Sequence, residues 1–276
     1  MKYELRQLSF GETLGQAFNL YFDNFAALFM IALVSNIPII LVIHTTGLYG
    51  LGAMSINRGL SFLLLIVLSL AMTIICTALT IEVISKKYLK QHEGIGQYIN
   101  NVLPLIFPIL GLTIVQSLYI FLGFLALIIP GIYIALGLSL APQAFIVERL
   151  KVMEAIKRSF SLTKDKKLEI FGFALILGGI NFGIRKLMEG ITPMIAQMDA
   201  TVQTKLIVLF GIAHSLDILV APISACIFIL VYFNYRIEKE GFDLEHLVNQ
   251  FGSGDSPSAV NPPNPPNTPN PPFSGV

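Results

Sequence analysis

Ionisable side chains inside apolar stretches are the first candidates for chemistry, because a charge in a hydrocarbon setting is costly and usually has a task. His214 and Asp217 lie three residues apart, on one face of a helix, and form a candidate intramembrane polar pair for a proton or an ion. The competing reading puts both at headgroup level beside a lead-in helix. Glu82 and Glu148 fall at the ends of apolar stretches, where water is near. Both read as structural, with Glu148 placed to pair with a neighbouring Arg or Lys. Arg185 and Lys186 read as side chains that snorkel toward headgroups.

The densest charge is basic. Arg149, Lys151, Lys157, Arg158, Lys164, Lys166 and Lys167 sit on or beside an amphipathic segment. That pattern suits anionic lipid headgroups, each residue contributing about 1 kcal/mol near a charged leaflet. No exposed aromatic residues interleave with these charges, so nucleic acid is not an expected partner. Motifs for catalysis are missing: there is no GxxxxGK(S/T) loop, no HExxH and no GxSxG elbow. His44, His92, His214 and His246 are too scattered for a zinc site. Cys76 and Cys226 lie in apolar runs without a CxxC, as buried free thiols would. The expectation is no catalytic residue, no metal and no cofactor.

The elements that must carry these residues are apolar helices. Of the 276 residues 54% are hydrophobic and only 13% charged, about half the charge a soluble domain carries. Six stretches meet the length of a bilayer-crossing helix: Phe25–Ile43, Leu60–Ile84, Leu105–Ile129, Gly131–Val147, Leu168–Ile184 and one between Leu206 and Tyr235. Asp217 and Pro222 divide the last, so Thr204–Ser215 reads as a lead-in and Asp217–Tyr235 as the crossing. A re-entrant hairpin at Pro130–Gly131 stays open beside two full crossings.

Basic residues sort by gap. Lys2 and Arg6, then Lys86, Lys87 and Lys90, then the Arg149–Lys167 group, then Arg236 and Lys239 occupy alternate gaps. The other gaps hold only Arg58, then none, then Arg185, Lys186 and Lys205. The positive-inside rule therefore places both termini in the cytosol. Residues 1–24 read as a cytosolic amphipathic segment without a cleavable signal, 25–247 as a six-helix membrane domain, and 248–276 as a disordered Pro/Asn-rich cytosolic tail.

Amphipathic segments precede the outward-going helices. In the first, Phe10, Leu14, Ala17, Phe18, Tyr21, Phe22 and Phe25 share a face; in the last, Met153, Ile156, Phe160 and Thr163 do, opposite Glu154, Lys157, Arg158 and Ser161. A weaker copy lies near Ile95–Val102. Three units, each an amphipathic helix followed by an out-and-back pair, are one reading; interfacial helices on every inward loop are the other. Gly131, Ala135 and Ser139, and separately Gly179 and Gly183, recur every fourth residue, leaving smooth faces for helix packing within the chain or in a homo-oligomer.

The stretch Pro130–Phe171 carries a Pro-Gly turn (Pro130, Gly131), an apolar helix ending in Ala141-Pro142, the acidic Glu148, and an amphipathic segment with Ala155, Ile156, Ser159, Leu162 and Thr163. In this it resembles the bacterial YciC-like membrane proteins and the membrane domain attached to some glycerophosphoryl diester phosphodiesterases. The segment Tyr232–Leu247 is similar to the end of such domains. The resemblance implies an all-α, six-helix integral membrane domain without an assigned activity; the phosphodiesterase chemistry of the fused forms belongs to a soluble barrel with no counterpart here. Two functions are carried forward. One is a non-catalytic scaffold or accessory subunit of the bacterial cytoplasmic membrane, contacting anionic lipids or a protein partner. The alternative is a small-molecule or lipid transporter with a path between the helical pairs, suggested by Pro38, Pro222 and the His214/Asp217 pair.

Overall fold

The computed structural model describes residues 6–49, 56–91, 93–197 and 202–241. Within them the chain forms α1 (Phe10–Asp23), α2 (Phe25–Tyr49), α3 (Ile56–Tyr88), α4 (Ile95–Val102), α5 (Ile106–Ala126), α6 (Ile128–Leu138), α7 (Ala141–Val147), α8 (Val152–Thr163), α9 (Lys167–Ala196) and α10 (Val202–Glu240), with a short 3-10 turn at Leu103–Leu105. The described residues contain no strand. Among the described residues five helical segments are long and apolar enough to cross a membrane: Leu63–Tyr88, Ile95–Ala126, Ile128–Val147, Lys167–Ile195 and Ile218–Glu240. A sixth arises if α1 and the start of α2, bent by 80°, count as one broken span. The tail at 248–276 lies outside the described residues.

The antiparallel pairs α2–α3, α5–α6 and α9–α10 are each preceded by a short amphipathic helix: α1, α4 and α8. α10 is the central post, packing on α1, α2, α3, α7, α8 and α9. Tyr232, Phe233, Tyr235, Ile227, Ile229 and Leu230 of α10 are wholly buried.

α1 begins with a capping box. Ser9 Oγ accepts from the Glu12 backbone N–H, and Glu12 Oε2 accepts from the Ser9 N–H at 2.9 Å. Its buried face is Thr13, Ala17, Leu20 and Tyr21, rotated from the expected stripe, and Phe22 stands 68% exposed. The rotation follows from the neighbour: α1 lies alongside α10, where Tyr21 Oη donates to the Leu219 carbonyl at 2.9 Å.

Three boundaries differ from the sequence expectation. The turn between α5 and α6 is at Leu127, in extended conformation, while Pro130 and Gly131 lie in the first turn of α6. There the missing proline N–H would have no intrahelical partner anyway. The stretch Gly131–Val147 is two helices, broken at Ser139–Leu140. α10 runs unbroken through Asp217 and Pro222, so the expected lead-in Thr204–Ser215 is continuous with the crossing segment.

Candidate functional site

The polar side chains that the fold gathers lie at one end of the bundle, where α3, α7 and α10 finish and α4 and α8 cross them. The break between α6 and α7 frees the Gly137 carbonyl and the Leu140 N–H. Ser159 of α8 meets both: its Oγ donates to Gly137 O at 2.7 Å and accepts from Leu140 N at 3.2 Å. Thr163 Oγ1 donates to Ser159 O at 2.8 Å and approaches Gly137 O at 3.3 Å. Both side chains are fully buried, so these bonds complete an account that a buried backbone must close. Gly137 is needed for the approach, since a Cβ there would sit 2.3 Å from the Phe160 ring. The Ala155-Ile156-Ser159-Leu162-Thr163 pattern is thus the buried face of α8. Met153, expected on that face, is 48% exposed.

Beside this joint lies an ion-pair network. Arg158 Nε donates to both oxygens of Glu148 at 2.9 Å, and its terminal nitrogens bind the carboxylate of Glu240. Arg236 of α10 lies 3.7 Å from Glu148 and 3.3 Å from Glu240. Tyr232 Oη donates to Glu148 Oε1 at 2.6 Å. Two carboxylates and two guanidinium groups thereby join α7, α8 and α10. The hydrogen bond to Glu240 above all, with Glu148 adding, holds Arg158 above its ordinary value. Both carboxylates are engaged by cations.

A second network ties α3, α4 and the end of α7. Glu82, with only 3% of its side chain exposed, accepts from Arg149 Nη2 at 2.8 Å and from Asn101 Nδ2 at 3.1 Å. Asn101 also donates to Glu93, which pairs with Lys86 at 3.1 Å. Arg149 has φ +54°, a left-handed conformation that costs a side-chain-bearing residue about 1 kcal/mol or more. Its ion pair with a buried carboxylate offsets that strain.

The seven basic residues therefore divide. Arg149, Arg158 and Lys166 are engaged with carboxylates, Lys166 at 2.6 Å from Glu238. Lys167 lies over the Tyr133 ring at 4.2 Å. Lys151, Lys157 and Lys164 are exposed and hold no carboxylate among the described residues. Lys239 supplies the cation at the C-terminal end of α8, donating to the carbonyls of Ser161 at 3.0 Å and Lys164 at 2.7 Å.

The remaining candidates are scattered. His214 and Asp217 lie on the α10 helix, but their side chains fall outside the described residues. Gly131 receives the Phe124 ring of α5, where a Cβ would meet it at 2.6 Å. Ala135 and Ser139 are half-buried, the Ser139 hydroxyl donating to Leu136 O at 2.8 Å. Gly179 and Gly183 face open space, so the expected close packing is not made within the described chain. Cys76 and Cys226 are buried and unpaired. No group of His, Cys, Asp or Glu among the described residues has the geometry of a metal site.

Sequence reasoning missed Asn234. Buried on α10, it accepts from the Leu8 N–H at 2.7 Å and donates to the Leu8 carbonyl at 3.0 Å, a strand-like clasp on the chain before α1. An amide set among Tyr232, Phe233 and Tyr235 was the available signal. No protein-family model, curated protein or solved structure matches this chain.

Proposed function

We propose that this chain is a bacterial cytoplasmic-membrane protein of the YciC-like kind, with six crossings and cytosolic termini. It acts without catalysis, as a scaffold or accessory subunit whose α8 end contacts anionic lipid headgroups or a cytosolic partner. The observation that supports this best is the division of charge on α8. One face is locked into the bundle by Ser159, Thr163 and Arg158, while Lys151, Lys157 and Lys164 extend outward without carboxylate partners among the described residues. Carboxylates held by arginines stabilise a joint; lysines left over are available to a second surface.

The test is retention of phosphatidylglycerol against phosphatidylcholine by the purified protein, read by native mass spectrometry. Replacing Lys151, Lys157 and Lys164 with Gln should abolish the preference for the anionic lipid, at about 1 kcal/mol per lysine. A co-purifying polypeptide lost in the same variant would assign the surface to a partner. Unchanged lipid and polypeptide retention would sink the proposal. A fluorescent reporter fused after Glu240 tests the orientation separately, since it matures on the cytosolic side.

A further inference from the structure

A cavity of roughly 320 Å³ lies between α2, α3, α7 and α10. A second of roughly 320 Å³ adjoins it between α3 and α5, sharing Thr73, Thr77 and Pro142. Together they form a seam through the apolar part of the bundle, flanked by the α6–α7 break and by Pro222 of α10. Irregular backbone at such depth is tolerated where it lines a cavity.

The seam's polar groups are uncharged and partly committed to the protein's own backbone. Thr73, Thr77 and Thr80 each donate their hydroxyl to the carbonyl one turn earlier, at 2.9, 2.7 and 2.8 Å. Thr113, across the second cavity, does the same to Ile109 at 2.9 Å. Asn36 gives an amide N–H to Ala32 O at 2.8 Å, and Gln116 gives one to Leu138 O at 3.2 Å. With those protons turned toward the protein's own backbone, the hydroxyl and amide oxygens keep lone pairs with which to accept, and Asn36 and Gln116 each keep a second amide N–H. Gln143 of α7 makes the same point from inside. It lines the first cavity, is only 5% exposed, and its Oε1 has no hydrogen-bond partner. An orphaned buried acceptor is unfavourable unless something fills it.

No charged residue lines either cavity. The volume is at the low end of small-molecule sites and about ten times a water's share, far larger than a single cation needs. Ile31, Ile81 and Phe228 give the first cavity an apolar wall. We infer that this seam binds a neutral polyol, presenting several O–H donors to the acceptor oxygens of Thr73, Thr77, Asn36 and Gln143 and its C–H face to the apolar wall. The polyol is either a free sugar-like molecule or the uncharged head of a glycolipid. This goes beyond the scaffold reading and does not depend on the lysine surface.

The experiment uses the full chain in phosphatidylcholine nanodiscs. Monoglucosyl diacylglycerol is offered against phosphatidylglycerol of the same acyl chains, with adducts read by native mass spectrometry. Radiolabelled glucose is offered separately by equilibrium dialysis. One glycolipid or one glucose per chain is expected, weakened about tenfold, the worth of one hydrogen bond, by Gln143→Leu and by Thr77→Val. Thr77 is exposed in the seam, so its variant keeps the test decisive if the buried substitution disturbs folding. Glycolipid binding alone assigns the bilayer as source, and glucose binding assigns the aqueous phase. No one-to-one adduct of either, equal retention of phosphatidylglycerol, or an adduct indifferent to both substitutions would overturn the inference.

Discussion

α9 and α10 are neighbours in the chain, antiparallel, and both long and apolar, yet they occupy opposite environments. In the apolar 18-residue window of Ile218–Glu240 on α10, 61% is buried within the protein, against 17% in that of Lys167–Ile195 on α9. α10 touches six other helices, while α9 presents Leu175, Phe182, Leu187 and Met194 outward. Hydropathy does not decide burial, since Ile95–Ala126 matches Ile218–Glu240 at a mean hydropathy of 2.1 and is far less buried. What does is the polar content of the buried face: α10 carries Asn234, Tyr232 and Arg236, each bonded to a distant part of the chain, and the outward face of α9 carries glycines facing open space. In an apolar surrounding, burial of one more leucine stabilises little, and it is satisfied polar groups and close backbone approach that choose which helix is central.

That contrast can be broken at several points, with unfolding read by a thiol-reactive dye reporting exposure of Cys76 and Cys226. The largest effect is expected from Glu148→Leu, which removes the carboxylate shared by Arg158, Arg236 and Tyr232 and should cost about 3 kcal/mol, the low end for a broken buried pair. Gly137→Ala drives a methyl into the Phe160 ring and should cost about 2 kcal/mol by overpacking, with partial rescue by Phe160→Leu. Ser159→Ala leaves the Gly137 carbonyl and Leu140 N–H short of a partner, at about 1–2 kcal/mol. Gly179→Ala on α9 sharpens the comparison from the other side. Nothing lies within 4 Å of the added Cβ, so the variant should gain about 0.5–1 kcal/mol from helix propensity alone. A loss at Gly179 as large as that at Gly137 would mean that a second chain covers α9.

The smallest expected effect is that of pH on the α1 cap. The Arg6 guanidinium, foremost, and the Ser9 contacts lower the Glu12 carboxyl from 4.5 to about 2. A depressed acid stabilises fully above its unfolded value and loses that contribution as pH falls through the folded one. Amide protection at the start of α1, taken relative to the intrinsic exchange rate at each pH, should therefore be constant above pH 4.5 and fall toward pH 2, and Glu12→Gln should remove that dependence.

Much of the architecture was legible in the residues. The apolar stretches and the three amphipathic helices follow from composition and periodicity, and a pairing of Glu148 with a nearby Arg or Lys follows from its position. The break at Ser139–Leu140 was not legible, because the stretch is apolar throughout and the groups that satisfy it belong to Ser159 and Thr163, on a later helix. Nor was the continuity of α10, where Asp217 and Pro222 read as dividers although a helix interior tolerates a proline once neighbours re-satisfy the backbone. The pairing of Arg149 with Glu82 and of Arg158 with Glu240 was hidden for a related reason. Glu82 and Glu240 lie 67 and 82 residues from the arginines they hold, and only the tertiary fold brings them together.

The clasp between Asn234 and Leu8 joins residues 226 apart in sequence. On a ribosome adding about 5–20 residues per second, the first helix therefore waits roughly 10–45 s for the amide that holds it. Through that interval every partial chain lacks its central post, and α1 has neither Asn234 nor the Leu219 carbonyl to dock on. Among the described helices the last made is thus the one that seats the first, and truncation before Asn234 should leave the earlier described helices in a bundle that never closes.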